Sequence, residues 1–173
     1  GKEVILEVVN PSWAAFPWTV RAAVKTRAFW FLTISFFLQS VSGELMIVHQ
    51  IAHVVDLGYS KALAASTFGL VYLIAIGGMF FWGSASDRWG REWMFLFSTF
   101  FVAAGVGLLM GLGADKIWPL YGFVVLYGFG FGSRAPLYSA VAADLFQGRG
   151  FGAILGTLTV GFGLGGAVGP WIG

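Results

Sequence analysis

The sequence predicts an all-α membrane protein, a polytopic bundle of transmembrane helices. Of its 173 residues, 58% are hydrophobic and only 10% are charged, whereas about a quarter of the residues in a soluble domain are charged. The polar residues are therefore too few to cover a water-facing surface. Several apolar runs also reach the roughly 20 residues that a helix needs to cross a bilayer. Because backbone groups in lipid must be satisfied within the chain, we expect these runs to be helices.

Residues 1–27 are the only extended polar region, and we expect them to form a cytoplasmic linker. Pro11 and Pro17 interrupt any long helix there. Between Trp18 and Ala28, apolar positions alternate with basic ones. This pattern predicts a short amphipathic helix at the membrane surface, and the alternative is a solvated linker with a few apolar residues. The chain has no initial methionine and no signal-peptide pattern, so we expect it to be a fragment.

Residues 28–173 contain five segments long enough to cross a bilayer, joined by short polar connections. The segments cover residues 29–52, 62–82, 93–113, 117–142 and 151–173. The side of the amino-terminal linker would carry Lys2, Arg21, Lys25, Arg27, Arg88, Arg91 and Arg149, and the other side Lys61 and Lys116. Because cytoplasmic loops carry an excess of Lys and Arg, we expect the amino-terminal region in the cytoplasm. Separately, we expect a multi-pass protein of the plasma (inner) membrane.

Small residues recur at four-residue spacing within these spans. The rows are Gly107 and Gly111, Gly128 and Gly132, Gly152 and Gly156, and Gly161, Gly165 and Gly169. Small residues at this spacing let two helix backbones approach closely in lipid. The rows therefore predict a tightly packed bundle, although they indicate no particular function.

The densest cluster of charge lies between the second and third spans, at Gly83-Ser84-Ala85-Ser86-Asp87-Arg88-Trp89-Gly90-Arg91. An ionised side chain in hydrocarbon costs at least a few kcal/mol. The cluster is therefore expected to be a short loop at the water boundary, on the cytoplasmic face.

This cluster resembles the Gly-x-x-x-Asp-Arg-x-Gly-Arg signature of major facilitator superfamily transporters. The basic stretch before the first span resembles the central cytoplasmic linker of that family, and the glycine-rich residues 161–170 resemble an eleventh helix. Residues 143–150 are similar to second-half members of the monocarboxylate and oxalate/formate-like branch. The resemblance implies helices seven to eleven, an incomplete second half of a twelve-helix fold. The whole first half and the twelfth helix would then be missing partners.

The resemblance implies a secondary active transporter that moves a small solute, an organic anion such as a carboxylate, by alternating access. The alternative is a non-transporting remnant, or an assembly or sensor module with the same helices. We expect no enzymatic activity, cofactor or metal site, and no nucleic-acid partner, since the motifs for such chemistry are absent. The expected partners are a small-molecule substrate, a proton as candidate coupling ion, and the lipid bilayer.

In this family the charged motif forms a cytoplasmic gate. The resemblance implies that role for Gly83, Asp87, Arg88, Gly90 and Arg91. Asp144, at the cytoplasmic end of the fourth span, is the expected partner of Arg88 or Arg91. The alternative is a tight turn whose basic residues only anchor the chain at the membrane surface.

Arg134 lies inside the fourth span, where an arginine is costly unless it faces water or an anion. Tyr127, Phe131 and Tyr138 fall at helical spacing on the same predicted face. Because arginine binds carboxylates bidentately, the pattern favours a carboxylate site. The alternatives are a structural ion pair and snorkelling to the boundary.

Glu44 is the second charge within a span. By helix rise, it and Arg134 differ in depth by roughly 12 Å, so we expect no direct salt bridge between them. They would instead bracket a central cavity that Gln39 could also line. Glu44 is then a candidate proton carrier, and the alternative is a carboxyl hydrogen-bonded between helices.

Overall fold

The computed structural model describes residue 13 and residues 16–172. Within them lie seven helices: α1 Val20–Ala23, α2 Arg27–Asp56, α3 Lys61–Trp89, α4 Arg91–Met110, α5 Trp118–Phe131, α6 Arg134–Leu145 and α7 Phe151–Ile172. The only β-pairing among the described residues is a single bridge between Gly113 and Lys116. The predicted all-α bundle is therefore confirmed. Most of the predicted linker, residues 1–12, 14 and 15, lies outside the described residues.

Four of these helices, α2, α3, α4 and α7, are long and apolar enough to cross a membrane. At the start of α2 and of α3, a side-chain hydroxyl caps the helix. Thr26 Oγ1 accepts a hydrogen bond from the backbone N–H of Phe29 at 3.2 Å, and Ser60 Oγ accepts one from Leu63 at 3.2 Å. Such caps satisfy backbone donors that a helix leaves unpaired in its first turn. Before α2, the expected amphipathic helix is reduced to the single turn of α1.

The charged motif is helical, which differs from the loop predicted there. Helix α3 continues to Trp89, and α4 begins at Arg91 after Gly90 alone. Gly90 has a φ of +91°, a left-handed conformation that glycine adopts at no steric cost. Helix α3 has 29 residues. At about 1.5 Å per residue it is longer than a hydrocarbon core of about 30 Å. The charges therefore mark where the bilayer ends and not where the helix ends.

The fourth predicted span, residues 117–142, is interrupted. Helix α5 ends at Phe131 and α6 begins at Arg134, with Gly132 and Ser133 between them. Pro136 explains the break, because proline has no N–H to bond the carbonyl four residues earlier and its ring crowds that carbonyl. The crossing is therefore made of two short helices, and Arg134 lies where the second one starts.

Helix α7 packs closely on α2 through one of the predicted glycine rows. A Cβ added to Gly161 would lie 2.7 Å from the Thr33 carbonyl oxygen, and one added to Gly169 would lie 2.8 Å from that of Val41. Gly165, between them, would meet the Phe37 carbonyl oxygen and the Ser40 Cβ. Close packing of this row is therefore confirmed.

Helix α5 packs on α3 and α4 in the same way. A Cβ on Gly128 would lie 2.7 Å from the Val71 carbonyl oxygen, and one on Gly130 would lie 2.8 Å from that of Ser98. The row Gly128 and Gly132 thus behaves as predicted. The rows Gly107 and Gly111, and Gly152 and Gly156, do not, because no other described helix comes within 4 Å of those positions. Two of the four predicted rows therefore hold the bundle together.

Candidate functional site

Arg134 projects from the start of α6 onto α2. Its guanidinium occupies the space that a side chain at Gly43 would need, with Cζ 3.0 Å and Nη2 3.2 Å from a Cβ built there. The guanidinium carbon also lies 4.1 Å from the centre of the Phe131 ring, in range of a cation–π contact. Its Nε is buried and has no hydrogen-bond partner in the described part of the chain. The guanidinium therefore lies between Gly43 and the Phe131 ring, and its Nε is left without a partner.

Beside Arg134 lies a cavity of about 340 Å³ between α2, α4 and the break between α5 and α6. Gln39 and Tyr138 share its wall with Arg134. Hydroxyl groups supply most of its remaining polarity, from Ser35, Ser42, Ser98, Thr99 and Ser133. The cavity thus combines a cation, an amide and several hydroxyls within a set of apolar helices.

Tyr138 is buried in the wall of this cavity by contacts with two other helices. Its hydroxyl donates to the Ser35 carbonyl oxygen at 3.4 Å. Its ring makes edge contacts with Phe36, at 4.6 Å between centroids, and with Phe95, at 5.3 Å. Tyr138 is therefore fixed in position relative to α2 and α4.

Tyr127 lies apart from the cavity. It is 2% exposed and stacks on Phe123 at 5.0 Å between ring centroids. Its hydroxyl interacts electrostatically with Arg134, but it forms no hydrogen bond with regular geometry among the described residues. The structure therefore places Tyr127 in the core behind Arg134 and not on the cavity wall.

Glu44 lies on the side of α2 that faces α7. Its Cβ would be 2.9 Å from a Cβ on Gly169, and its Cγ 3.8 Å from one on Gly166. No ion pair joins Glu44 to Arg134 within the described residues. The guanidinium nevertheless reaches Gly43, the residue before Glu44. The long side chain of Arg134 therefore crosses much of the difference in depth between Arg134 and Glu44 that the helix rise predicts.

The charged motif forms an ion-pair network at the other end of the cavity helices. Arg91 Nη1 donates to Asp87 Oδ1 at 3.0 Å and to Ser86 Oγ at 3.1 Å, while its Nε donates to Asp144 Oδ2. One arginine thus connects α3, α4 and α6. The Arg91 side chain is 26% exposed and that of Asp144 is 56% exposed, so each pair alone contributes at most about 1 kcal/mol.

Of the two arginines expected as partners of Asp144, the structure pairs one with it. Arg91 is the partner, and Arg88 is exposed with no ion pair in the part of the chain that the structure describes. Gly83 lies on the side of α3 that faces α6, where its Cβ would be 3.6 Å from Pro136 Cβ. The motif glycines therefore serve two different purposes, since Gly90 supplies the turn between helices and Gly83 faces a neighbour.

Sequence reasoning missed the hydroxyls of the cavity and the space at Gly43. Two of these hydroxyls, on Ser35 and Ser42, lie with Gln39 at positions i, i+4 and i+7 of α2. This is the spacing of one helix face, and it could have identified them. Ser98 and Thr99 on α4 carry no comparable signal, because their approach to the cavity depends on how α4 packs.

The four membrane-length helices make the chain a multi-pass integral membrane protein. A family profile described as Major Facilitator Superfamily matches residues 28–173. The chain therefore belongs to the Major Facilitator Superfamily, a family of transporters and not of enzymes.

Curated relatives match shorter stretches of the chain. A probable quinate permease of Aspergillus fumigatus is 36% identical over 103 residues, which cover 57% of this chain and 18% of that protein. The quinate permease of Emericella nidulans is 32% identical over 114 residues, or 63% of this chain and 19% of that protein. The aligned stretch is thus less than a fifth of the length of either relative.

Proposed function

We propose that the chain is part of a secondary active transporter that moves a small organic anion by alternating access. In this proposal it supplies helices seven to eleven of the second half, and the first half and the twelfth helix complete the fold. The position of the motif after the second span, the basic segment before α2 and the glycine row of α7 support this placement. The names of the permease relatives favour transport over a remnant or sensor role.

The proposal rests mainly on Arg134, a buried arginine beside a polar cavity. A buried cation is costly unless it is paired, and Arg134 has an unused Nε donor beside a cavity lined with hydroxyls. The first turn of α6 starts at the same point, so its backbone N–H groups add positive potential there. Interrupted helices whose amino ends face an anionic substrate are a recurring feature of transporters. A carboxylate bound to the guanidinium would pair the buried cation and would also lie in the positive potential at the start of α6.

The other cavity groups suit a substrate with further polar atoms. Gln39 offers an amide that can donate and accept. The hydroxyls of Ser35, Ser98 and Thr99 already donate to backbone carbonyl oxygens, so they can only accept from a substrate. Tyr138, which is locked against α2 and α4, would set one wall of the site. Quinate, which gives two relatives their name, is a carboxylate, and this class of substrate agrees with an arginine-centred site. The monocarboxylate and oxalate/formate-like branch is proposed on the same ground.

Glu44 is the proposed proton carrier for coupled transport. It is the only acidic residue in the interior of the described membrane-length helices, since Asp56, Asp87 and Glu92 lie at helix ends. A carboxyl within a span is costly when ionised, which favours a role in proton binding. Its neighbour Gly43 contacts the Arg134 guanidinium. Proton binding at Glu44 would therefore change the charge close to the anion site.

The proposed substrate class is tested by uptake into proteoliposomes that contain the full-length protein. Quinate and lactate represent monocarboxylates, oxalate represents dicarboxylates, and glucose represents neutral sugars. We expect uptake of at least one carboxylate, no uptake of glucose, and stimulation by an inward proton gradient. Uptake of glucose without uptake of any carboxylate would contradict the role of Arg134.

The ion-pair network around Arg91 is proposed to close the cytoplasmic end of the transporter. The change Asp144→Asn would remove one anchor while keeping the size of the side chain. If the pair contributes about 1 kcal/mol to the closed state, initial uptake rates should fall about fivefold, with normal membrane insertion. Asp115→Asn, the same change in the exposed turn before α5, is the control. Equal uptake rates in both variants and the wild type would exclude the gate.

A further inference from the structure

The segment before α2 packs on the connection between α6 and α7. Two tryptophans of this segment make contact there, and we call Trp13 together with residues 16–24 the tryptophan strap. We propose that Trp13 is a positioning residue of the gate, which holds the end of α6 so that Asp144 stays beside Arg91. This inference rests on the gate role proposed for that ion pair.

The strap is attached to α6 by a hydrogen bond at the last residue of that helix. The Trp13 indole N–H donates to the Leu145 carbonyl oxygen at 2.7 Å. Leu145 is the final residue of α6, and the last four carbonyl groups of a helix have no partner within it. The bond therefore caps a helix end, which is a part of a structure that opens easily when it is not held.

The second tryptophan anchors the strap in the protein core. Trp18 is 6% exposed, and Phe146, the residue after α6, is fully buried. The two rings meet edge to face with their centroids 5.2 Å apart. The Trp18 ring also lies 4.5 Å from that of Trp13, and its indole N–H donates to the Trp13 carbonyl oxygen at 3.1 Å. Trp13 is thus held against α6 by a neighbour that is itself buried.

A glycine just before α7 lets the strap come close. A Cβ added to Gly150 would overlap the Trp18 carbonyl oxygen and lie 3.3 Å from the carbonyl carbon. At Gly152, two residues further along, an added Cβ would have nothing described within 4 Å. The same change from glycine to alanine should therefore push the strap away at residue 150 and leave it in place at residue 152.

The strap and the ion pair meet at adjacent residues of α6. Asp144, which precedes Leu145, pairs with Arg91 of α4. The Asp144 side chain is 56% exposed, and an exposed ion pair gains little unless both side chains are held in one geometry. If the last turn of α6 opened, Asp144 would move away from α4. The hydrogen bond from Trp13 should favour the closed turn about fivefold.

Limited trypsin digestion of the purified full-length protein tests whether these contacts hold the strap. Cleavage after Arg21 and Lys25, which are exposed, requires the strap to open and so reports the open population. Trp13→Phe keeps a ring but loses the N–H, so this cleavage should be about fivefold faster. Gly150→Ala should accelerate it too, whereas Gly152→Ala, the matched control, should be cleaved like the wild type. Wild-type cleavage rates in both Trp13→Phe and Gly150→Ala would overturn the proposal.

Proteoliposome uptake tests whether Trp13 acts through the ion pair. The probe is whichever of quinate, lactate and oxalate the wild type carries best. Trp13→Phe should lower the initial rate by up to about fivefold, towards that of Asp144→Asn. The double variant should be no slower than Asp144→Asn alone, because both changes act on the same ion pair. Losses that multiply in the double variant would show that Trp13 only stabilises the bundle, and would overturn its positioning role.

The single variants separate this proposal from the gate on which it rests. Slow uptake by Asp144→Asn together with wild-type uptake by Trp13→Phe would keep the gate and overturn the role of Trp13. Wild-type uptake by Asp144→Asn would exclude the gate itself, and the positioning role with it, whatever the digestion shows.

Discussion

Replacing Arg134 with glutamine should weaken carboxylate binding about 100-fold. A bidentate arginine–carboxylate contact makes two charge-assisted hydrogen bonds, each contributing about 1.5 kcal/mol or more, and about 3 kcal/mol corresponds to two orders of magnitude in Kd. Glutamine can still donate one neutral hydrogen bond but brings no charge. The measurement is the Kd of the best carboxylate found by uptake, determined on the full-length protein.

Two further variants separate recognition from structure in this experiment. Arg134→Lys keeps the charge but loses the planar fork and its contact with Phe131, so binding should weaken about tenfold, between wild type and glutamine. Arg149→Gln removes an exposed arginine outside the cavity and should bind like the wild type. If Arg134→Gln keeps wild-type affinity, Arg134 does not bind the substrate. If it loses binding only in proportion to the amount of unfolded protein, Arg134 has a structural role instead.

The helices could be predicted from the sequence because apolar length alone determines which segments enter a bilayer. Their ends could not, for two different reasons. At Asp87 and Arg88, charge shows the edge of the hydrocarbon, yet a helix in water needs no apolar residues to continue. Near Pro136, the apolar residues continue without interruption although the helix is interrupted between Phe131 and Arg134. The proline was visible in the sequence, but whether it kinks or splits a buried helix depends on the packing around it.

The residues of the candidate site were singled out from the sequence only in part. Arg134, Tyr138 and Gln39 were singled out because polar side chains inside a span need a reason to be there, and all three line one cavity. Tyr127 was assigned to the same face by extending the helical period across the junction between α5 and α6. Its hydroxyl does interact with Arg134, although Tyr127 does not line that cavity. The cavity hydroxyls on α4 were missed because the period of one helix does not show how a second helix packs against it.

Adding one methyl group at Gly165 should destabilise the protein by about 2–3 kcal/mol, in the range of overpacked cores. In the change Gly165→Ala, the new Cβ would overlap the Phe37 carbonyl oxygen and lie 2.8 Å from Ser40 Cβ. A backbone carbonyl cannot rotate away as a side chain can, so α2 and α7 would have to separate. The glycines on either side, Gly161 and Gly169, also approach carbonyl oxygens of α2, at 2.7 and 2.8 Å from an added Cβ. Local adjustment at one position would therefore strain the whole contact. The expected result is a lower midpoint of thermal unfolding for the purified full-length protein.

Gly163→Ala makes the same chemical change two residues away in α7, where nothing described lies within 4 Å of the added Cβ. Alanine is favoured over glycine in a helix by up to about 1 kcal/mol, so this variant should be as stable as the wild type or more so. Opposite signs at two neighbouring positions cannot come from helix propensity, which is common to both. They would show that the α2–α7 contact, and not the composition of α7, explains why glycine is needed at residue 165. Equal midpoints for the two variants would mean that the helices do not approach as closely as their backbones indicate.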